Sequence, residues 1–336
     1  MKTLLLTLVA ALLLPLPALA QDFPVTVQDG LGRSVTLPAP AERVVATDEW
    51  AVYDLLAMGF EPVGGMVAPS PPQLADETAA EAVFRLRGVT VDPAFQRVNR
   101  SDWSIDYELV AALDPDLIVG VYAEDIPVAE QIAPSFNTTI QDADGRDHLD
   151  RVAAQFLAVA ALVGRTEAAE ALVAQVQNRM AAYERLAPGD RTVMLLSTDG
   201  VSEMAVLGRG NLSCQLWDQV GGCATEGPDN TRWTTMTVEG ILSIDPDVIL
   251  ILPPCFGGDC EGPNGEALAA LDAQPLWGEL SAVQNGRVHV LPYDVRAFTI
   301  SSLAGFFDTT LPLIYPETFP TPLTDDQVQE ILASEN

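Results

Sequence analysis

Lysine is all but missing from this chain: Lys2 is the only one, and the other basic residues are 16 arginines set against 47 aspartates and glutamates. The formal charge is −30, and about −31 once Lys2 is gone. A surface of that sign repels phosphate backbones, which excludes a nucleic-acid partner. Histidine is as scarce, with two residues, His148 and His289, far apart in the sequence. Direct capture of a bare metal ion needs several converging nitrogen and carboxylate donors, so that reading has little to build on. The chain also has no nucleophile elbow, no HExxH, no Gly-rich phosphate loop and no adjacent Cys and His. These omissions argue against an enzyme. Paired acids are abundant, but a chain this acidic produces them by chance. After residue 20 no apolar run is long enough to cross a bilayer.

Cysteine is limited to Cys214, Cys223, Cys255 and Cys260, all in the second half. Two close pairs in an exported chain are expected to form disulfides, Cys214 with Cys223 and Cys255 with Cys260. A zinc site is the sharper alternative, but the spacings are not those of CxxC knuckles and neither histidine is close by. Export itself is read from residues 1–20, where Lys2 precedes the apolar run LLLTLVAALLLPLPALA and small residues stand at Ala18 and Ala20. This is a signal-peptide pattern with cleavage expected before Gln21. Pro15 and Pro17 interrupt the run and disfavour a membrane anchor. No Cys follows the cleavage point to carry a lipid, so the mature protein is expected to be soluble. Its acid excess fits either a solvated surface or an acidic docking face. Disorder is disfavoured, because 48 % of the residues are apolar.

What is present is an internal repeat. ELVAALDPDLIVGVY (Glu108 to Tyr122) and EGILSIDPDVILILP (Glu239 to Pro253) share one register. In each, an acid opens a short helix, Asp-Pro-Asp makes a turn, and β-branched and aliphatic residues follow as a buried strand. Between the copies lies one long Ala-rich helical region ending at Ala187. Val152, Phe156, Val159 and Val163 keep helical spacing, Gly164 offers a stop, and Thr166 is expected to cap a second helix. Further βα signals stand at Arg43–Thr47, a helix over 48–58 with Val52, Leu55 and Leu56 inward, Gly59 as its cap, and Pro62–Met66. A hairpin is expected at Asp29-Gly30. RTVMLLSTDG and a helix over 212–220 repeat the theme in the second half. The expected fold is therefore α/β, two similar lobes, each a mainly parallel sheet flanked by helices, joined by one long rigid helix. The boundaries are signal peptide 1–20, N-terminal lobe 21–164, interlobe helix 165–187 and C-terminal lobe 188–336. An ordinary helical hairpin inside one domain is the blander alternative.

Seven segments in order carry a resemblance: RVVATDEWAVYDLLAMGFEPVGG, LVAALDPDLIVG, AEQIAPSF, the long helix, MLLSTDGVSEMAVLGRGNLSCQLWDQVGG, LSIDPDVILI and PLWGELSAVQNGRVHVLP. Together they resemble the periplasmic substrate-binding proteins of ABC importers for ferric siderophores, haem and cobalamin, the class with a rigid interlobe helix. The Glu49-Trp50 pair and Arg100 are most similar to the ferric hydroxamate-binding branch. The resemblance implies a shallow cleft lined by aromatic rings and arginines, with iron present only as part of the bound chelate and no resident cofactor. A wrapped chelate presents apolar ligand outside and oxygens around the metal, which suits flat rings and guanidinium forks.

Carried over residue by residue, the resemblance implies ligand contacts from Arg100, Tyr122, Trp233, Arg296, Phe298 and Trp50. Each has a plainer role open to it: the arginines as surface ion-pair partners, Tyr122 and Trp233 as core. It also implies that Glu108 and Glu239, equivalent in the repeat, dock to arginines on the two halves of a membrane permease. Helix-dipole stabilisation is the alternative for both. The expected setting is a soluble periplasmic monomer whose partners are a ferric siderophore and an inner-membrane permease. Two stretches depart from the branch, the Pro-rich loop from Ala68 to Arg87 and the CFGGDC insertion, so pocket shape does not carry over. Haem or cobalamin binding remains an alternative within the same fold.

Overall fold

The computed structural model describes residues 22–67, 94–100, 102–197, 204–252, 269–291 and 295–334. Residues 1–20, the loop from Ala68 to Arg87, and Cys255 and Cys260 lie outside the described residues. The chain enters through an antiparallel hairpin, β1 (Val25–Gln28) and β2 (Ser34–Leu37), turning at Asp29. The N-terminal lobe then builds a five-stranded sheet from β3 (Val44–Ala46), β4 (Gly64–Gly65), β5 (Gln96–Arg97), β6 (Leu117–Val119) and β7 (Ser135–Phe136). Its order is β5-β4-β3-β6-β7, parallel throughout. Every residue of β3 and β6 is fully buried, as a parallel sheet covered on both faces requires. Helices α1 (Glu49–Ala57), α2 (Tyr107–Ala112) and α3 (Ile126–Ala129) flank it.

Two longer helices follow, α4 (Leu149–Leu162) and α5 (Thr166–Leu186). Gly164 takes φ +66 and the Arg165 N–H returns to the Ala160 carbonyl at 2.8 Å, a Schellman closure of α4. That closure corrects the expected cap. Arg165, already shaped by the preceding stop, occupies the N-cap position, and Thr166 is the first helical residue. The 21 residues of α5 span about 30 Å.

Among the described residues the C-terminal lobe carries six strands: β8 (Thr192–Ser197), β9 (Met204–Leu207), β10 (Gly222–Cys223), β11 (Trp233–Met236), β12 (Val248–Ile251) and β13 (Val288–Val290). Their order is β11-β9-β8-β12-β13, with β10 paired to β8. The β8, β10, β12 and β13 pairings are parallel, whereas β9 runs antiparallel to both β8 and β11. Around the sheet lie α6 (Leu212–Val220), α7 (Val238–Ile244), α8 (Ser281–Gln284), α9 (Ile300–Ile314) and α10 (Asp325–Ala333). Cys214 on α6 is bonded to Cys223 on β10, as expected.

The sequence repeat is a structural repeat. Asp114 and Asp245 both adopt left-handed backbone, φ 48 and 49, a conformation that Asp tolerates better than most residues. The second Asp of each turn then stitches its strand to a neighbour. Asp116 accepts from the backbone N–H of Glu42 and Arg43 at 2.8 and 3.0 Å, just ahead of β3. Asp247 accepts from the Thr192 N–H at 2.9 Å, at the start of β8.

Helix α5 packs against α4, α6, α9 and α10, and its apolar face joins one core running from Val35 to Val328. Polar ties fix its position. Arg179 pairs with Asp308 on α9 at 3.2 Å and with Asp325 on α10 at 2.8 Å. The Tyr183 hydroxyl donates to Asp308 at 2.6 Å and accepts from the Leu323 N–H at 2.9 Å.

Candidate functional site

Ligands of open α/β sheets sit beyond the carboxyl ends of the strands, and in the N-terminal lobe those ends carry a connected set of polar and aromatic groups. Past β3, Asp48 caps α1, its Oδ1 accepting from the N–H groups of Trp50 and Ala51 at 2.8 and 3.3 Å. Its Oδ2 accepts from the Tyr122 hydroxyl at 2.9 Å. Tyr122 reaches it because the chain leaves β6 through Gly120, φ +74, where a Cβ would meet the Asp48 Cβ at 2.6 Å. Burial raises the Asp48 carboxyl pKa, opposed by the Tyr122 bond, and the Asp48 charge in turn pushes the tyrosine up. The Tyr122 side chain is 47 % exposed, which rules out the core role.

Helix α1 presents Trp50 across the crevice to Phe298, which precedes the Thr299 cap of α9. The two rings meet edge-on with centroids 5.3 Å apart, and Tyr53 lies 5.9 Å from Trp50. On the C-terminal side the Arg296 guanidinium stands 5.0 Å from the Phe298 ring and 5.4 Å from the Trp233 ring. Trp233 opens β11, the edge strand, and is partly buried. The sequence-expected residues Trp50, Phe298, Arg296 and Trp233 therefore form one continuous path from lobe to lobe, and Asp48 ties Tyr122 to its N-terminal end. Flat rings alternating with guanidinium groups offer both contact area and fixed hydrogen-bond donors.

Arg100 is not part of that path. It follows β5, at the edge of the sheet, and its guanidinium pairs with the Asp106 carboxylate at 3.2 Å with 58 % of the side chain exposed. Asp106 is the N-cap of α2, accepting from the Leu109 N–H at 3.1 Å, and these bonds hold its carboxyl below the usual range. Glu108 and Glu239 occupy the second position of α2 and α7 and both are exposed. The Glu239 carboxyl is held low by its own backbone N–H and by the Thr237 hydroxyl.

Sequence reasoning missed three residues here. The Arg232 guanidinium lies 5.5 Å from the Phe298 ring, and its Nε pairs with Asp147 at 3.2 Å. Asp147, whose side chain is fully buried, also accepts from the Leu212 N–H at 3.1 Å, so it joins the segment before α4 to α6. Asp54 accepts from the Ser301 N–H at 3.0 Å and joins α1 to α9. The one local clue was Arg232 standing next to Trp233. The two aspartates had none among 47 acids. Among the described residues no three His, Cys, Asp or Glu side chains are grouped to hold a metal ion.

The sequence matches the family described as Periplasmic binding protein over residues 44–295. The chain belongs to this family. It is a substrate-binding transport protein and not an enzyme, in line with the missing catalytic motifs. The putative ABC transporter substrate-binding lipoprotein YhfQ of Bacillus subtilis is 26 % identical over 285 residues, covering 80 % of this chain and 81 % of that one. The ABC-type Fe3+-hydroxamate transport system structure from Saccharomonospora viridis superposes with a TM-score of 0.63 at 24 % identity, over 86 % of this chain and 99 % of that one. The catecholate-siderophore binding protein VctP of Vibrio cholerae gives a TM-score of 0.63 at 17 % identity, with the same coverage. These structures share the two-lobed fold with the binding protein described here. Among its described residues no helix is long and apolar enough to cross a membrane.

Proposed function

We propose that this binding protein holds a ferric siderophore of hydroxamate type in the crevice between its lobes and delivers it to an ABC importer permease. The observation that carries the reading is the interlobe path of Trp50, Phe298, Arg296 and Trp233, with Arg232 alongside. It matches an iron chelate on both counts: rings for the ligand's apolar exterior, guanidinium donors for its oxygens. Iron arrives and leaves as part of the chelate. Tyr122 and Arg100 stand at the N-terminal rim, where they meet the parts of a ligand that overhang the path. The working unit is a periplasmic monomer with lobes 21–164 and 188–336 joined by the helix 165–187, exported by residues 1–20.

Glu108 and Glu239 are the docking acids in this reading. They support it by their equivalence, because each is the exposed second residue of the short helix that leads into an Asp-Pro-Asp turn. A two-lobed protein meeting a two-fold partner needs matching charges on both lobes. Native mass spectrometry against ferric hydroxamates, ferric catecholates, ferric citrate, haemin and cobalamin tests the ligand. A ferric hydroxamate should be retained most strongly, and retention of haemin or cobalamin alone would overturn the siderophore reading. For delivery, E108Q/E239Q should keep ligand affinity while uptake through the cognate permease falls, most visibly at low salt where exposed charges are least screened. Normal uptake would return both acids to helix stabilisation.

A further inference from the structure

Two helices, α1 and α9, meet at the crevice. Trp50 belongs to α1 and Phe298 immediately precedes the cap of α9, so the spacing of the two rings depends on how α1 sits against the first turn of α9. One turn along α1 from Trp50, Asp54 occupies that junction. Its Oδ1 accepts from the Ser301 N–H at 3.0 Å, and the hydroxyls of Thr299 and Ser301 lie close to its carboxyl. Those two hydroxyls are 3.0 Å from each other, and Thr299 caps α9. Beside the carboxyl lies a cavity of about 20 Å³ lined in part by Thr138, Gln155 and Phe298. The buried Gln155 Oε1 has no hydrogen-bond partner among the described residues.

We propose that Asp54 is a positioning residue for ligand binding: its side chain latches the first turn of α9 onto α1 and thereby sets the Trp50–Phe298 spacing that the ligand meets. The latch rests on the crevice being the ligand site. Its surroundings offer hydrogen-bond donors but no positive charge to offset burial. From α9 come a backbone N–H and two hydroxyls, from α4 the uncharged Gln155, and from the segment before it the uncharged Thr138. None of the described arginines forms an ion pair with Asp54. Arg232 pairs with Asp147, and Arg296 stands over the Phe298 and Trp233 rings. The charge felt most strongly is that of Asp48, at the N-cap of the same helix, and it is repulsive. Burial first, then Asp48, pushes the carboxyl up to about 7 against the hydrogen bonds that lower it.

In the latched state the pKa is raised above the value of a solvated carboxyl, so latching is fully supported below about pH 4, loses support as pH rises from there to about 7, and levels off above it. Ionisation favours pulling the carboxylate away from α9 toward water. The latch is thus tightened by protons, and Asp54→Asn, which is neutral at every pH and keeps an acceptor for the Ser301 N–H, mimics the tightened state.

The test titrates wild type, D54N and D54A with a ferric hydroxamate from pH 5.5 to 8.5. Protonation of the chelate affects all three proteins alike. Wild type should fall progressively below D54N as pH rises from 5.5 to about 7, and from there to pH 8.5 stay roughly three- to tenfold weaker than D54N. D54A should be weaker than D54N throughout. A ratio of wild type to D54N that stays flat with pH, or D54N weaker than wild type at pH 8.5, overturns the latch. Hydrogen exchange of the amides of residues 301–303 without ligand reads the same latch independently. At pH 8 exchange should be slowest in D54N and fastest in D54A. If that order holds but no chelate binds wild type, the ligand reading fails and the latch stands. If all three variants exchange alike, the latch fails whatever the ligand. Far-ultraviolet circular dichroism of each variant confirms that it is folded.

Discussion

Phe298→Ala removes the ring at which the two halves of the crevice meet, and its cost can be worked out from the contacts. The ring makes one edge-on contact with Trp50 at 5.3 Å, a geometry worth about 0.5–1.5 kcal/mol beyond area burial. It also lies 5.0 Å from the Arg296 guanidinium and 5.5 Å from that of Arg232, each worth about 0.5–1 kcal/mol at a partly exposed site. Their sum, reduced because the residue is only partly buried, is about 2 kcal/mol of stability, or a melting temperature lower by about 3 °C for a chain of this length. Ligand affinity should fall more distinctively, by roughly tenfold to a hundredfold, because the truncation removes a contact surface and loosens both guanidinium groups. Urea unfolding and quenching of intrinsic fluorescence by the ferric chelate measure the two effects separately. Phe298→Leu keeps bulk but no π face, so it should restore most of the stability and little of the affinity. If F298L binds as wild type does, ring chemistry is irrelevant here and the aromatic–guanidinium path is a packing feature.

Two further outcomes are expected. Trp233→Ala should weaken ligand binding by tenfold or more, whereas Arg100→Ala should cost less, since its guanidinium is already engaged by Asp106; the reverse order in the same titration would move the ligand to the β5 edge of the N-terminal lobe. Because the Asp54 carboxyl is raised in the folded state to about 7, wild type should lose stability relative to D54N as pH rises from about 4 to 7 and then level off, so a wild type that gains on D54N over that range in urea melts would contradict the burial assigned to this group.

Those predictions rest on residues of unequal legibility. The repeat could be read because its signal is local: proline after aspartate, an acid in the first helical turn, and an uninterrupted apolar run that only a doubly covered strand tolerates. Helix α6 is observed over Leu212–Val220 as expected, and Gly59 and Gly164 follow helix ends in left-handed backbone as their freedom allows. Thr166 was misread because a capping residue type is only a candidate, and the backbone closure after α4 settled which residue stood half-in. Pro62–Met66 shrinks to a two-residue strand at Gly64–Gly65, since pairing length depends on the neighbours β3 and β5. Trp50 and Phe298 could be nominated singly by resemblance, but nothing within 248 positions of chain states that they touch. Asp54 and Asp147 were invisible for a different reason. Burial is a tertiary property, and among 47 acids a single aspartate carries no mark of it.

The same distinction between local and tertiary information says where this molecule can yield. Helix α5 is pinned by Arg179 and Tyr183 to α9 and α10 through Asp308, Asp325 and the Leu323 backbone. Several charged hydrogen bonds on one short stretch make a poor hinge, because moving α5 would break them together. Near the crevice, by contrast, the polar ties between elements are scattered rather than bundled on one helix: Asp54 to Ser301, Ser213 to Ala297, and Asp147 to Gly210, Leu212 and Arg232. If a ligand binds in the crevice as proposed, its adjustment should concentrate in the first turn of α9 and in the segment before α4, not in the long helix. A small displacement there moves Phe298 and Arg232 relative to Trp50, while the Asp-Pro-Asp turns and the exposed acids at the start of α2 and α7 keep their spacing. In such a molecule the affinity of the crevice and the geometry of the two outer helices are separable. Substitutions at Asp54 or Phe298 should change what is bound and how tightly, without altering the distance at which Glu108 and Glu239 are presented.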